Sequence, residues 1–244
     1  NLTETLGTEP EESEELVLDE NFYRDVTKAI VILTVFVFVA FVIAYRYARA
    51  YDGFGRKEPL EAPFNRNISL IKGLVFIFAA GFLLRVILAL TGIQCSVDVN
   101  LFKYWGDKAV DGGFTNTYIT LGENIDYPPL YVYFLYFASL IKGQFDFLGE
   151  GAEIIHSLLV KMTPILADIA IGVIIYLILD KRMRTEWKLF AVAAWIFNPV
   201  SIINSACWGQ VDSVLALIVL LAVYFAENKK YLLSGLLLGL GMML

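Results

Sequence analysis

LIKGLVFIFAAGFLLRVILALTG, residues 70–92, runs directly into IQCSVDVNLFKYW, residues 93–105. The first segment is apolar over about 20 residues, the length that an α-helix needs to cross the hydrocarbon core of a bilayer. The second segment is polar and aromatic, and it begins where such a helix leaves the membrane. The sequence therefore predicts a membrane helix followed by a surface loop, with Asp98 placed where water-soluble and lipid-borne molecules can meet.

The composition of the whole chain agrees with a membrane location. Of the 244 residues, 58% are hydrophobic, and the mean hydropathy is +0.64, whereas soluble domains average about 45–50% apolar residues. The excess is concentrated in several runs of about 20 residues. We therefore expect an all-α, multi-pass integral membrane protein that has the lipid bilayer as its first partner.

The net charge of −6 comes mainly from an acidic stretch between Thr3 and Glu20 that contains no Lys or Arg. Such a run is typical of a solvated, disordered tail. The chain as a whole is not basic, so no nucleic-acid partner is expected. One His and two cysteines, Cys95 and Cys207, do not make a metal site, so neither a metal nor a cofactor is expected. Free buried thiols are the favoured state of the cysteines, with a disulfide as the alternative.

Hydropathy and charge divide the chain into four segments. Residues 1–27 are predicted to be an acidic external tail, and residues 28–46 an additional transmembrane helix rich in Val, Ile and Phe. Residues 47–69 carry several Lys and Arg, so the positive-inside rule predicts a cytoplasmic loop. Residues 70–244 form the main membrane module, which crosses to the outer face and continues into an external loop at 93–156.

The crossing that follows this loop is predicted from parity. A second basic cluster, at residues 181–188, should also be cytoplasmic. The chain must therefore cross the membrane an odd number of times between Asp98 and this cluster. The apolar stretch 157–179 is long enough to cross, whereas 130–141 is short and Tyr-rich, which favours a segment at the membrane surface.

The next part of the chain returns to the outer face. Residues 189–203 are predicted to rise outward and to break at Asn198-Pro199, where proline weakens a helix. Residues 204–213 are predicted to form a polar turn, and residues 214–225 to return inward. The polar turn and Asp98 are therefore expected on the same side of the membrane.

Three charged residues fall inside the predicted membrane helices: Arg85, Lys161 and Asp168. Each charge costs about 2.5–3.5 kcal/mol on insertion scales, so such residues usually face a bundle interior and serve a function. Arg85 and Lys161 lie in the outer half and can hold a phosphate of a lipid-linked substrate. The alternative for these two is snorkelling to the headgroups, and the alternative for Asp168 is an ion pair with a neighbouring cation.

Two candidate acids lie in the external loop. Asp98 is either a catalytic base or the N-cap of an amphipathic helix predicted at 100–111. That helix is predicted to lie along the membrane surface. Its predicted apolar face carries Leu101, Tyr104, Trp105 and Lys108. Asp126, just before the rigid turn Tyr127-Pro128-Pro129, is the rival acid.

The predicted polar turn contains Trp208-Gly209-Gln210-Val211-Asp212-Ser213. Asp212 or Ser213 can cap the helix that follows, but a cap requires neither Trp nor Gln. Gln210 and Asp212 can hydrogen-bond to sugar hydroxyls, and Trp208 can stack on the apolar face of a sugar ring. These residue types together favour a carbohydrate-binding turn over a simple connection.

Five of these clusters follow one another in a specific order. They are Asp98–Trp105, Asp126–Tyr131, Lys161 with Pro164 and Ala167-Asp168, Asn198-Pro199, and Trp208–Ser213. In this order they resemble the GT-C membrane glycosyltransferases over residues 70–244. The nearest groups are bacterial mannosyltransferases related to the second mannosyltransferase of GPI-anchor synthesis, and the endoplasmic-reticulum glucosyltransferases that extend lipid-linked oligosaccharides.

The resemblance implies a helical bundle with amphipathic helices in the first external loop. It implies inverting transfer of a hexose, mannose favoured, from a polyprenyl-phosphate donor to an external glycan, lipid or protein acceptor, without a metal. Asp98 would be the general base, with Asp126 as its rival. The substrate-binding residues would be Arg85, Trp105, Tyr127, Lys161, Trp208, Gln210 and Asp212. The site would face the outside of a bacterial plasma membrane, which is favoured, or the endoplasmic-reticulum lumen.

Two other interpretations stay open from the sequence. The intramembrane charges are also typical of a transporter or a lipid-handling protein, although no internal repeat is evident. The second interpretation is a non-catalytic scaffold that keeps the fold but lacks the donor site. GT-C enzymes have further C-terminal helices, and the last apolar run here, 232–244, is too short to span the membrane. We therefore expect a part of a longer protein, which is inactive by itself if another chain must supply those helices.

Overall fold

The computed structural model describes residues 28, 63–122, 125, 127–179 and 185–244. Asp126 and residues 180–184, which hold most of the second basic cluster, lie outside the described residues. The predicted tail lies wholly outside them, and the helix predicted at 28–46 does so except for residue 28, so these two assignments stay predictions. Of the loop predicted at 47–69, residues 63–69 are described and are helical, so the helix begins earlier than the sequence predicts.

All regular structure in the described part of the chain is helical, which confirms the predicted all-α class. The helices are α1 (Pro63–Leu90), α2 (Ser96–Gly112), α3 (Thr117–Leu121), α4 (Pro129–Lys142), α5 (Glu150–Leu179), α6 (Thr185–Ile196), α7 (Pro199–Ile202), α8 (Asp212–Glu227) and α9 (Tyr231–Gly241). A 3₁₀ segment, Gly143–Leu148, follows α4, and a π-helical segment, Ile203–Trp208, continues α7.

Two described helices are long and apolar enough to cross a membrane, Leu70–Leu90 and Glu150–Leu179. A third span results if Trp187–Ile196 and Pro199–Trp208, which meet at a 40° bend, count as one broken helix. At 1.5 Å per residue, α5 is about 45 Å long, so about a third of it extends beyond the 30 Å hydrocarbon core. By the same rule α4, with 14 residues, is about 21 Å long, too short to span.

The bend between α6 and α7 has a local cause. Asn198 caps α7, with its side-chain oxygen accepting a hydrogen bond from the Val200 backbone N–H at 3.0 Å, and Pro199 takes the first helical position. The predicted break at this dipeptide is therefore present. The predicted turn at 204–213 is wrong in its extent, because the helix continues to Trp208 and the turn itself spans 209–211. The polar side chains of this segment do not stop the helix, since Ser205 Oγ bonds to the Ser201 carbonyl oxygen of the preceding turn.

Helix α2 carries Asp98, and its start corrects one prediction. It begins at Ser96, with Cys95 as the N-cap, so Asp98 lies inside the first turn and is not the cap. A carboxylate in the first turn of a helix is stabilised by the positive end of the helix dipole. Asp98 is therefore held at a defined place on a helix and remains available for other contacts.

The face that α2 packs against the protein differs from the predicted apolar face. The packed face consists of Val99, Phe102, Trp105, Gly106 and Ala109. Leu101 and Tyr104 are exposed, so Trp105 alone of the predicted set is buried in the core. The small residues at 106 and 109 explain the difference, because they let α4 approach α2 closely.

We predict that Gly106→Ala destabilises the packing of α2 on α4. A Cβ at position 106 would overlap Ser139 Oγ and would lie 2.7 Å from the Leu135 carbonyl oxygen. Overpacking of this kind costs about 1–3 kcal/mol. Thermal unfolding in detergent should therefore show a lowered Tm. Gly143→Ala is the matched control, because a Cβ there meets no atom within 4 Å, and an equal Tm for the two variants would contradict the prediction.

Candidate functional site

Asp98 lies at the centre of a polar cluster built from three distant parts of the chain. Asp98 Oδ2 accepts a hydrogen bond from Gln210 Nε2 at 2.7 Å and a second one from Trp208 Nε1. The Tyr127 hydroxyl donates to Gln210 Oε1 at 3.2 Å. The structure thus brings together four of the residues predicted from the sequence, Asp98, Tyr127, Trp208 and Gln210, which we call the Asp98 cluster.

Gly209 explains how two neighbouring side chains reach one carboxylate oxygen. Its φ of +77° lies in the left-handed region, which favours glycine, and its backbone N–H closes the π-helical segment on the Asn204 carbonyl oxygen. The Gln210 N–H bonds to the same carbonyl oxygen at 3.1 Å. The chain therefore reverses tightly at Gly209, and the side chains before and after it, Trp208 and Gln210, converge on Asp98.

Aromatic side chains form one wall of the Asp98 cluster. The Tyr127 ring centroid lies 5.5 Å from that of Trp105 and 5.3 Å from that of Tyr131, and Phe102 packs edge-on to both tyrosines. Trp105 and Tyr131 are buried, whereas Tyr127 is only half-buried. Tyr127 is therefore partly open to solvent on one side and packs on the buried rings of Trp105 and Tyr131 on the other.

Tyr131 also belongs to this wall, although its residue type and spacing did not predict a role in the site. Its hydroxyl is buried and has no hydrogen-bond partner among the described residues. Burial also raises the pKa of this phenol, so it remains a neutral donor. The available signal was its position in the Asp126–Tyr131 motif, four residues after Tyr127.

Lys161 lies directly beneath the turn of the Asp98 cluster. A Cβ at Gly209 would meet the Lys161 Cγ at 3.3 Å and the Val99 Cγ2 at 3.7 Å. The side chain is fully buried, and its ammonium group donates to the Ala89 carbonyl oxygen at 3.4 Å. Within the described ranges it forms no ion pair with a carboxylate. Lys161 is therefore a buried cation without a described counter-charge, in contact with the turn at Gly209.

Arg85, the other predicted phosphate-binding cation, is engaged elsewhere. It is fully buried, and its Nε forms an ion pair with Asp168 Oδ2 at 3.1 Å. Its terminal nitrogens donate to the Ile196 carbonyl oxygen at 2.8 Å and to Ser201 Oγ at 3.0 Å. The ion pair that the sequence left open for Asp168 is thus present. The structure does not bring Arg85 into the Asp98 cluster.

A cleft of about 270 Å³ adjoins the cluster on the side of Tyr127. It is lined by Tyr127, Pro128, Val211, Asp212, Leu215 and Leu244. Asp212, the first residue of α8, is exposed at its rim. The cleft therefore brings one further predicted site residue, Asp212, beside Tyr127 at a mostly apolar opening.

The two cysteines add no reactive group to the site. Both are buried free thiols. Burial raises the pKa of the Cys95 thiol, so it stays protonated near neutral pH. Within the described ranges, no three His, Cys, Asp or Glu side chains come close enough together to hold a metal ion.

The fold and the site define an all-helical membrane protein with an acid, an amide and aromatic side chains at a helix end. Residues 126–244 match the family model described as Glycosyltransferase family 87. Among curated proteins, GPI mannosyltransferase 1 of Kluyveromyces lactis is 31% identical over 80 residues, which are 33% of this chain and 20% of that protein. GPI mannosyltransferase 1 of Saccharomyces cerevisiae is 28% identical over 80 residues, which are again 33% of this chain and 20% of that protein.

These matches confirm the resemblance to GT-C-like membrane glycosyltransferases. The aligned part spans about a fifth of the length of the curated relatives. The family match begins after Asp98, so the helix that carries this acid lies outside the matched range. No solved structure matches the chain significantly.

Proposed function

We propose that the chain is the catalytic part of a membrane mannosyltransferase. It would transfer mannose from a polyprenyl-phosphate donor to a hydroxyl of an external glycan, lipid or protein acceptor, with inversion. The observation that carries the proposal is the Asp98 cluster, whose turn at Gly209 packs on Lys161, a buried cation that has no carboxylate partner among the described residues. Mannose is chosen because both curated relatives are mannosyltransferases by name.

Asp98 is suited to act as the general base. Trp208 and Gln210 donate to its Oδ2 and so hold the carboxylate in one orientation, which leaves Oδ1 to take the proton. In the transfer step the acceptor oxygen forms a bond to the anomeric carbon, and the bond from that carbon to the phosphate oxygen breaks. The acceptor proton moves to Asp98, and the electron pair of the broken bond leaves with the phosphate.

Lys161 is suited to hold the phosphate of the donor. A buried charge is costly unless it is paired, so a buried ammonium that has no carboxylate partner in the described part of the chain favours an anionic ligand. Its flexible four-carbon stem lets the ammonium reach a phosphate without movement of α5. A positive charge at this place would stabilise the departing phosphate in the transition state.

The neighbouring cleft is suited to the sugar. Tyr127 and Asp212 supply a ring and a carboxylate at its rim, and Gln210 lies next to them through its bond to Tyr127. The apolar lining by Val211, Leu215 and Leu244 favours the uncharged face of a sugar or the first carbons of its lipid.

The direct test is transfer of radiolabelled mannose from a polyprenyl-phosphate donor by the full-length protein in proteoliposomes. Product with inverted anomeric configuration is the expected result. Transport of a solute without transfer would indicate a transporter instead. Donor binding without transfer or transport would indicate a non-catalytic scaffold.

For the phosphate role, we predict that Lys161→Met weakens binding of polyprenyl-phosphate mannose. A charge-assisted hydrogen bond contributes about 1.5–3 kcal/mol, so the Kd should rise about ten- to hundredfold. Binding can be followed in detergent with a fluorescent donor analogue, and Lys108→Met, which removes an exposed lysine of α2, serves as the matched control. An unchanged Kd in Lys161→Met would remove this residue from the phosphate site.

A further inference from the structure

The buried Arg85–Asp168 pair contacts both ends of the chain segment that carries Trp208 and Gln210 of the Asp98 cluster. This segment runs from Ile196 to Ser213 and contains the bend, α7, the π-helical segment and the turn at Gly209. We propose that Arg85, Asp168 and Ser213 form a brace that positions Trp208 and Gln210 against Asp98. The inference rests on the proposed function, because it assigns positioning residues to the same site.

The first anchor of the brace holds the beginning of the segment. The Arg85 guanidinium donates to the carbonyl oxygen of Ile196, which is the last residue of α6. It also donates to Ser201 Oγ in α7. One planar group therefore contacts the chain on both sides of the bend at Asn198-Pro199. The Arg85 side chain is fully buried, so these bonds are not weakened by competition with water.

The second anchor holds the end of the segment. Ser213 Oγ donates to Asp168 Oδ1 at 2.8 Å, while Asp168 Oδ2 is taken by Arg85. Ser213 is buried in the first turn of α8, three residues after Gln210. Because Asp168 lies on the spanning helix α5, this bond fixes the start of α8 to the most extensive helix of the described bundle.

The two anchors together constrain the residues between them. Trp208 and Gln210 can bond to Asp98 only if the turn at Gly209 is level with the first turn of α2, which carries Asp98. The backbone hydrogen bonds of α7 and the π-helical segment link the first anchor to Trp208, and only two residues, Val211 and Asp212, separate Gln210 from the second anchor at Ser213. A misplacement of about 1 Å at a catalytic group can cost about 10² in rate, so the brace would act on turnover through the geometry of Asp98.

The test uses Ser213, because its loss leaves the Arg85–Asp168 ion pair in place. In the mannose-transfer assay, Ser213→Ala should lower kcat about ten- to hundredfold, with the KM for the donor changed less than about twofold. Ser213→Thr keeps a hydroxyl donor and should recover most of kcat. Ser205→Ala is the matched control, because its equally buried hydroxyl bonds within its own helix, to the Ser201 carbonyl oxygen. That variant should turn over like the wild type.

A double-mutant cycle separates positioning from a general loss of structure. If Ser213 acts through Gln210, then Ser213→Ala should have little further effect in a Gln210→Ala background, whereas independent effects would multiply. If Ser213→Ala does not fold, Ser213→Cys replaces it in the cycle, since a thiol of similar size is a weaker donor. Multiplying effects, or an unchanged kcat in Ser213→Ala, would overturn the brace.

The same assay distinguishes failure of the brace from failure of the proposed function. An inactive Asp98→Asn variant together with a fully active Ser213→Ala variant removes only the brace. A fully active Asp98→Asn variant removes the proposed role of the Asp98 cluster, and the brace with it.

Discussion

Asp98→Asn should lower kcat for mannose transfer by about 10²- to 10⁴-fold, the usual contribution of a general base. The amide cannot accept the acceptor proton at neutral pH. Its carbonyl oxygen can still accept the hydrogen bonds that Trp208 and Gln210 donate to Asp98 Oδ2. We therefore expect a folded protein with normal donor binding and almost no turnover, measured as release of radiolabelled product per enzyme in proteoliposomes.

Asp111→Asn provides the matched control for this prediction. It removes a carboxylate from the same helix, but one that is exposed and that, among the described residues, pairs with Lys108 alone. Its kcat should equal that of the wild type within about twofold, because exposed ion pairs contribute little. If Asp98→Asn instead retains full turnover, the base is another group. Asp126, which lies outside the described residues, is then the residue to replace next.

The topology of the site was predictable, and its contacts were not. The positions of the basic clusters and the lengths of the apolar runs predicted that Asp98 and the Trp208–Ser213 motif share one side of the membrane. Hydrogen bonds between residues 110 and 112 positions apart cannot be inferred from such a pattern. They depend on the left-handed conformation of Gly209 and on where the broken helix, which ends at Trp208, stops relative to Asp98.

The misassigned face of α2 has a different physical cause. The helical spacing of the sequence favours Leu101 and Tyr104 as the packed face, because large apolar residues dominate a hydropathy pattern. The structure packs the face with Gly106 and Ala109, because small residues allow α4 to come close. An exposed Leu or Tyr is also unremarkable at a membrane surface, where the usual link between hydrophobicity and burial in protein does not hold.

The environment of the charged residue Arg85 also could not be predicted from the sequence. From the sequence, Arg85 and Lys161 are equivalent cations in the outer halves of their helices. The fold separates them, since Arg85 meets Asp168 from a helix 83 positions later, whereas Lys161 meets no described carboxylate. The sequence indicated that intramembrane charges need partners. The partner of each charge follows from which helices become neighbours.

Breaking the Arg85–Asp168 pair should have the largest effect on stability in the bundle. Arg85→Met or Asp168→Leu alone leaves one charge buried and unpaired, which costs about 3–5 kcal/mol. The double variant Arg85→Met/Asp168→Leu should recover most of this loss, because apolar side chains can replace a buried pair with little net cost. Chemical unfolding in mixed micelles, followed by tryptophan fluorescence, measures the three free energies of unfolding.

The Lys103–Glu153 pair, whose carboxylate is exposed, provides the control, since Glu153→Gln should cost less than about 1 kcal/mol. The double variant also separates stability from positioning. It restores the apolar packing but leaves Ser201 and Ser213 without the charged groups that anchor them. We therefore expect a protein nearly as stable as the wild type that transfers mannose at least about tenfold more slowly. If the double variant is as unstable as either single variant, apolar side chains cannot replace the buried ion pair, and the prediction is wrong. A double variant with full turnover would show that the ends of the 196–213 segment are held by packing alone.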